Sequence, residues 1–326
     1  MSKKSTHIDR TYKDKPVLVV FFKSGTVDSY PFSNARYRQS YVDFFKLAES
    51  FFSIFVIRGK KNYIGQGVFR RGYRYTRGRF HPYRALIPAK VVFDKGSLHI
   101  DGTRGWAIVC GGALSRILSH KDKTYDKFKQ FMKLQYRVYT KTDCVKALEK
   151  IKTSFAVFKP VDNFGGVGVR IAQKEKLLTK LTRYDGVLCE FVDTSSGIPG
   201  LAQSLHDLRI TVMDGKAVQV MVRIPRRGSY LSNVARGGAV RQFYPRKIPS
   251  VAYRIVRRVD DALARFGHRV YSVDMGFERG RPYVFELNNE PCVPYRTWGT
   301  SHYMRWHRAL LKVLRAAAKD AGSEPV

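Results

Sequence analysis

Asp274, Glu286 and Asn288 carry the most specific chemistry in this 326-residue sequence. Asp274 sits in the run VYSVDMGF, Glu286 and Asn288 in YVFELNN, and the intervening ERGRP reads as a turn that lays two strands side by side. Residues two apart face the same side of a strand, so Glu286 and Asn288 share a face that Asp274 can meet from its neighbour. Two carboxylates and an amide oxygen form a hard, all-oxygen set suited to Mg²⁺ shared with nucleotide phosphates. The same residues could also stand on the wet face of an ordinary antiparallel hairpin. A second constellation bears on that choice. FKPVDNFGGVGVR (158–170) puts Lys159 at a strand end, just ahead of Gly165, Gly166 and Gly168. Such a turn can present backbone N–H groups to phosphate oxygens without side-chain obstruction. It is neither the GxxxxGK[ST] P-loop nor a dinucleotide fingerprint opening a helix.

The elements that must position these groups follow from periodicity. VLVVFF (17–22) and FSIFVI (52–57) read as strands around a helix at 35–50, a β-α-β start. The stretch 58–84, rich in Gly, Arg and Tyr, reads as irregular or hairpin-like, and 91–93 and 106–110 as further strands. Helices are expected at 121–133 and 144–152, strands at 155–161, 168–172 and 186–192, and a polar linker at 193–204. Hairpins are expected at 208–225, turning at Asp214-Gly215, and at 270–288, turning at Arg279-Gly280. Helices at 250–266 and 306–319 complete the chain, the last with an apolar stripe at Trp306, Leu310, Leu311 and Leu314. The pattern predicts α+β lobes behind an α/β N-terminal unit.

In order and spacing these motifs resemble the ATP-grasp superfamily, nearest its glutathione-synthetase-like and RimK-type carboxylate–amine ligases. The resemblance runs from about Ser119 to Pro291: Lys123 on a helix, Lys159 before the glycine turn, LCEFV (188–192), HDLR (206–209), SNVARGG (232–238), then VDMGF and YVFELNNEP. The twelve-residue interval from Asp274 to Glu286, followed by E-x-N, matches the family's magnesium motif. The resemblance implies an N-terminal pre-ATP-grasp domain (1–118), a small lobe (119–193) and a C-terminal lobe (194–326), with ATP between the lobes. It implies Lys123 and Lys159 on the α- and β-phosphates, and Gly165, Gly166 and Gly168 over the β- and γ-phosphates. Glu190, Phe191 and Val192 would form the adenine hinge and Asp207 would take the ribose. Arg209 would face phosphates or substrate, and Asn233 would lie beside the nucleotide. Arg223 and Arg236 would stabilise an acyl-phosphate, and Asp274, Glu286 and Asn288 would hold Mg²⁺, or Mn²⁺ in its place. Two departures stand out: a longer linker between Glu190 and Asp207, and NEPCVPY after Asn288, where relatives carry a small residue, Pro and Gly.

The implied reaction is ATP-dependent joining of a carboxylate to an amine through an acyl-phosphate, with ADP and phosphate released. Fixed cations and Mg²⁺ aimed at the transferring oxygens would supply most of the catalysis. No covalent nucleophile is indicated, and His206 and His268 read as structural or surface residues. Cys110, Cys144, Cys189 and Cys292 are scattered, with no CxxC pair, and read as buried inert thiols. No stretch reaches the roughly 18 apolar residues of a membrane helix, and the charged N-terminus has no signal core; a cytoplasmic protein is expected. The formal charge of +34 calls for an anionic partner. Arg223, Arg226, Arg227 and Arg241 favour an acidic substrate, such as glutamate or an acidic peptide tail. Residues 51–93 hold ten Lys/Arg, no acid, and interleaved Tyr63, Phe69, Tyr73, Tyr75, Phe80 and Tyr83. That segment leaves open a nucleic-acid-binding protein on an ATP-grasp scaffold. An ATP-grasp small-molecule kinase is the other alternative.

Overall fold

Strand β1 (Val17–Phe22) is buried along its whole length, as a strand covered on both faces must be. The computed structural model describes residues 15–161, 165–232 and 237–322. From β1 the chain passes through helix α1 (Ala35–Ala48) to a parallel strand β2 (Ser53–Arg58). Asn34 starts the helix, its side chain accepting from the Arg36 and Tyr37 amides. Short strands follow: β3 (Tyr63–Gly65), β4 (Val68–Phe69), β5 (Gly72–Thr76), β6 (Arg79–Tyr83) and β7 (Ile87–Pro88). Then β8 (Val91–Asp94) pairs with the other edge of β1, and β9 (Ala107–Val109) extends the sheet. The order β6-β5-β2-β1-β8-β9 reverses direction between β1 and β8. The loops after those two strands therefore diverge and leave a crevice at the strands' C-terminal ends, the usual ligand position in such a sheet.

Helices α2 (Gly112–Ser119) and α3 (Lys121–Phe128) lead to a four-stranded antiparallel layer. It comprises β10 (Gln135–Val138), α4 (Lys141–Lys150), β11 (Phe155–Pro160), β12 (Arg170–Gln173), the short α5 (Lys174–Leu177) and β13 (Gly186–Glu190), in the order β10-β13-β11-β12. The last layer holds β14 (Asp207–Met213), β15 (Lys216–Ile224), β16 (Ala239–Phe243), α6 (Ser250–Leu263), β17 (Val270–Glu278), β18 (Arg281–Asn288) and α7 (Thr300–Asp320). Its antiparallel order is β16-β15-β14-β17-β18. Alternation decides its faces. Leu208, Ile210, Val222 and Val273 turn to a core shared with α2, α3 and α6, which leaves their neighbours Asp207, Arg209, Arg223 and Asp274 on the opposite face. Both expected hairpin turns occur where read, with positive φ at Asp214, Gly215, Arg279 and Gly280.

Five elements were not legible: α2 begins at two glycines, β10 and β16 are short and carry charge, and β7 and α5 span only two and four residues. The closing helix starts six residues earlier than its apolar stripe. Cys110, Cys144 and Cys189 are buried, as expected; Cys292 is half-buried and borders a cavity. The six aromatic residues read as a stacking surface all lie in or against the core: Phe69, Tyr63 and Tyr83 on one face of the first sheet, Tyr75, Tyr73 and Phe80 on the other. Among the described residues no helix is long and apolar enough to cross a membrane.

Candidate active site

Sheet register builds the floor of the site. Asp207 lies opposite Arg223, Arg209 opposite Asp274, and Asp274 opposite Glu286; such cross-strand pairs stand about 5 Å apart. Asp274 is buried, and Arg209 grips it as a fork: Nε donates to Oδ1 at 2.7 Å and Nη2 to Oδ2 at 2.5 Å. Arg223 Nη2 donates to the same Oδ2 at 2.7 Å and also to Asp207. Burial pushes the Asp274 carboxyl up, but Arg209 and Arg223 outweigh it and hold it below the usual carboxylate range. Asp207 goes the other way: burial, opposed by Arg223 and aided by the like charge of Asp274, pushes it up to about 6.

Asn288 joins the two acids. Its Nδ2 lies 3.1 Å from Glu286 Oε1 and 3.4 Å from Asp274 Oδ2. The positive end of an amide dipole thus occupies the point between two carboxylates where a cation would sit. Turned over, the same amide presents its oxygen. Among the described residues no His, Cys, Asp or Glu adds to this pair to make a cluster of three. The donor set of two carboxylates and one amide suits Mg²⁺, which keeps part of its shell for water and phosphate.

A bulge brings Lys159 to this set. Between Asp274 and Met275 the β17–β18 register jumps from Glu286 to Val284, so Phe285 has no ladder partner. Lys159 Nζ, at the end of β11, donates to the Phe285 carbonyl at 3.0 Å. Gly276 makes room for the bulge: a Cβ there would lie 2.3 Å from the Phe285 ring.

Two cavities meet at this floor. A narrow slot runs between the four-stranded layer and the last sheet, with Val157, Ile171 and Cys189 on one side and Val284 and Phe285 on the other. Lys159, Gly165, Gly166, Glu190, Phe191, Val192, Asp207, Arg223, Asp274, Glu286 and Asn288 all line it. A wider cavity of about 720 Å³ opens in the crevice between β1 and β8, and Arg209, Arg223, Gly165, Glu286 and Asn288 form its inner end. Arg223, Glu286 and Asn288 border both.

Some expectations need correction. Lys123 is exposed on α3 and lines neither cavity; Lys121, two residues earlier on the same helix, lines the slot. Asp207 lines the slot, but its Oδ2 already accepts from Arg223 and, at 3.3 Å, from Ser232 Oγ, while its Oδ1 is buried with no hydrogen-bond partner among the described residues. Gly168 has the positive φ of a tight turn but lines neither cavity. Glu190 lines the slot while accepting from the Lys152 amide at 3.1 Å. Asn233 and Arg236 lie outside the described residues. His206 is structural: its ring nitrogens meet the Ser204 carbonyl and the Phe277 amide. His268 bridges Asp214 and Asp320.

Sequence reasoning missed Lys133, which lines the slot and donates to the Phe191 carbonyl at 2.9 Å and to Glu278 at 2.8 Å. It missed Tyr230, which packs on Phe191 and Phe155 at the slot. It also missed Arg58, which pins the loop after β1 through the carbonyls of Ser24, Ser29 and Tyr30. None of these has a local signal; each acts through a partner remote in sequence.

A family model, the ATP-grasp domain of prokaryotic glutathione synthetase, matches residues 123–276. The match is to an ATP-grasp domain and spans just under half of the chain. The chain's ATP-grasp fold is shared with solved structures over nearly the whole length. D-alanine–D-alanine ligase from Bacillus anthracis, complexed with ATP, superposes with a TM-score of 0.60 at 14% identity, covering 94% of this chain and 98% of that one. VanG D-Ala:D-Ser ligase from Enterococcus faecalis gives 0.61 at 14%, covering 95% and 100%. The ATP-grasp ligase PsnB, complexed with a precursor variant, Mg and ADP, gives 0.56 at 11%, covering 93% and 99%. No curated protein sequence matches the chain.

Proposed function

We propose that this protein is an ATP- and magnesium-dependent carboxylate–amine ligase that forms an amide through an acyl-phosphate. One observation carries the reading: Asp274, Glu286 and Asn288 converge beside Lys159 where the narrow slot meets the wide cavity. The slot, with apolar walls and a lysine-bearing inner end, takes ATP, and the crevice at the strand ends takes the acid and the amine. Similar ligases bound to ATP, or to Mg and ADP, support this assignment.

Lys121, Lys159 and the glycine turn hold the phosphates. Asp274, Glu286 and Asn288 would hold Mg²⁺, which when bound neutralises the charge gathering on the transferred phosphoryl group. An oxygen of the substrate carboxylate attacks the γ-phosphorus and ADP leaves. The amine nitrogen then attacks the acyl carbon, the carbon–oxygen bond to phosphate breaks, and the nitrogen gives up a proton. Arg223, at the junction, faces the anionic intermediate. The surplus of arginine does not by itself make the substrate acidic, because Arg209 and Arg223 are already paired with carboxylates.

The test is ADP release and product mass across a panel of amino acids and peptides, acidic and neutral. The expected result is amine-dependent ADP release with an amide product, abolished in Asp274→Asn. A stable phosphorylated product without an amide would make the protein a kinase instead. ADP release that survives Asp274→Asn would exclude both.

A further inference from the structure

Asp274 has more partners than a cation ligand can keep. Its oxygens accept two bonds from Arg209, one from Arg223 and a longer one from Asn288. Three of these fall on Oδ2, the oxygen that Asn288 joins to Glu286, and each oxygen offers about two lone-pair sites; even with the Asn288 amide turned over, a divalent cation shared with Glu286 gains Oδ2 only by displacing an arginine. The holds are unequal. Arg209 faces Asp274 in register and bonds it through two nitrogens. Arg223 reaches across with a single nitrogen, Nη2, which it shares with Asp207. The Arg223 bond is therefore the one to give way. Asp207 lies directly opposite Arg223 on the neighbouring strand and would retain it. The Arg223 side chain already borders both cavities, and its Nε is buried with no hydrogen-bond partner among the described residues.

We propose that Arg223 is released by the cation: binding at Asp274 transfers its guanidinium to Asp207 alone, turning a freed N–H toward the acyl-phosphate. Asp207 is then a positioning residue for Arg223 rather than a ribose ligand. The inference rests on the cation site of the proposed ligase. It explains why a buried Asp274 carries two arginines: without the cation they neutralise it, and with the cation one becomes surplus positive charge, repelled toward the cavity where an anion forms. Phosphoryl chemistry is thereby coupled to cation loading.

The test reads Mn²⁺ affinity in the presence of ADP, by electron paramagnetic resonance or calorimetry, with neither acid nor amine present. Arg223→Met removes the competitor, and the expected result is roughly three- to tenfold tighter Mn²⁺ binding. Asp207→Asn leaves Arg223 with Asp274 only, and the expected result is Mn²⁺ binding weakened by a similar factor. A merely structural network predicts weaker binding in both, and that outcome overturns the proposal. If Arg223→Met does not fold, Arg223→Lys should shift affinity the same way by less. In turnover, Asp207→Asn should lower kcat with little change in KM for ATP, and Asp207→Glu should restore part of it. Crystal structures of the wild-type protein with and without Mg–ADP supply a check free of variants: Arg223 should leave Asp274 and stay on Asp207. Retention of the Arg223–Asp274 bond in the loaded state sinks the inference while leaving the ligase reading intact. A wild-type protein that binds no Mn²⁺ with ADP overturns both.

Discussion

At the scale of single residues, position relative to the slot separates lysines that the sequence presents as equivalent. Lys121 and Lys123 both stand on α3, yet only Lys121 lines the slot. A charge-assisted contact to phosphate is worth about 1.5–3 kcal/mol, so Lys121→Ala should raise KM for ATP by roughly tenfold or more. Lys123→Ala should leave it unchanged, and steady-state kinetics of ADP release decide between them. His307 offers a second test. It is fully buried on α7, its Nε2 3.1 Å from Ser40 Oγ on α1, and burial pushes the imidazole down to about 4. The unfolded chain, titrating near 6.5, takes up this proton first as pH falls. Stability from this group is therefore complete above about 6.5 and is lost as pH drops towards about 4, up to about 3 kcal/mol. Denaturant melts at pH 7 and pH 4.5 should show that loss, and it should shrink in His307→Phe.

At the scale of elements, the β17–β18 hairpin matters most. Its bulge leaves the Phe285 carbonyl free for Lys159 and sets Glu286 opposite Asp274. Gly276 is required there by space, not by backbone conformation, since any Cβ would strike the Phe285 ring and Thr194. Gly276→Ala should cost about 1–3 kcal/mol, the usual penalty of overpacking. It should also lower ADP release by shifting Lys159 and Glu286, although residue 276 contacts no substrate. A thermal melt alongside the kinetics separates the two effects. If activity is unchanged, the bulge does not position Lys159.

At the scale of the whole molecule, charge and core speak to different questions. The formal charge of +34 is a self-repulsion that a compact fold must overcome, and salt screens it. Raising ionic strength should increase Tm, with about 1 kcal/mol of relief worth roughly 2 °C in a chain of this size. The reading of 51–93 as a nucleic-acid surface loses its aromatic half, because those rings build both faces of the first sheet. The C-terminal helix closes the molecule. Trp306, Leu310 and Leu314 on α7 share one core with α1, β1 and β8. Trp306→Ala should cost about 3–5 kcal/mol in chemical denaturation and loosen the N-terminal sheet together with the last one.

What the sequence alone determined was local. Alternation and turn chemistry placed the two hairpins, and their two-residue period put Glu286 and Asn288 on one face with Asp274 opposite; strand geometry allows little else. Lys159 and the glycine turn were legible for the same reason, as a strand end followed by residues that tolerate positive φ. The tertiary structure alone decided which charges are free. Asp207 and Asp274 are equally acidic on paper, but burial lifts Asp207 against one arginine, while two arginines from neighbouring strands outweigh burial at Asp274 and depress it. Lys121 and Lys133 line the slot and Lys123 does not, because the reach of a flexible side chain depends on what stands opposite. Periodicity constrains a residue's neighbours along the chain, whereas electrostatics depends on neighbours in space, and those are set only when the sheets close.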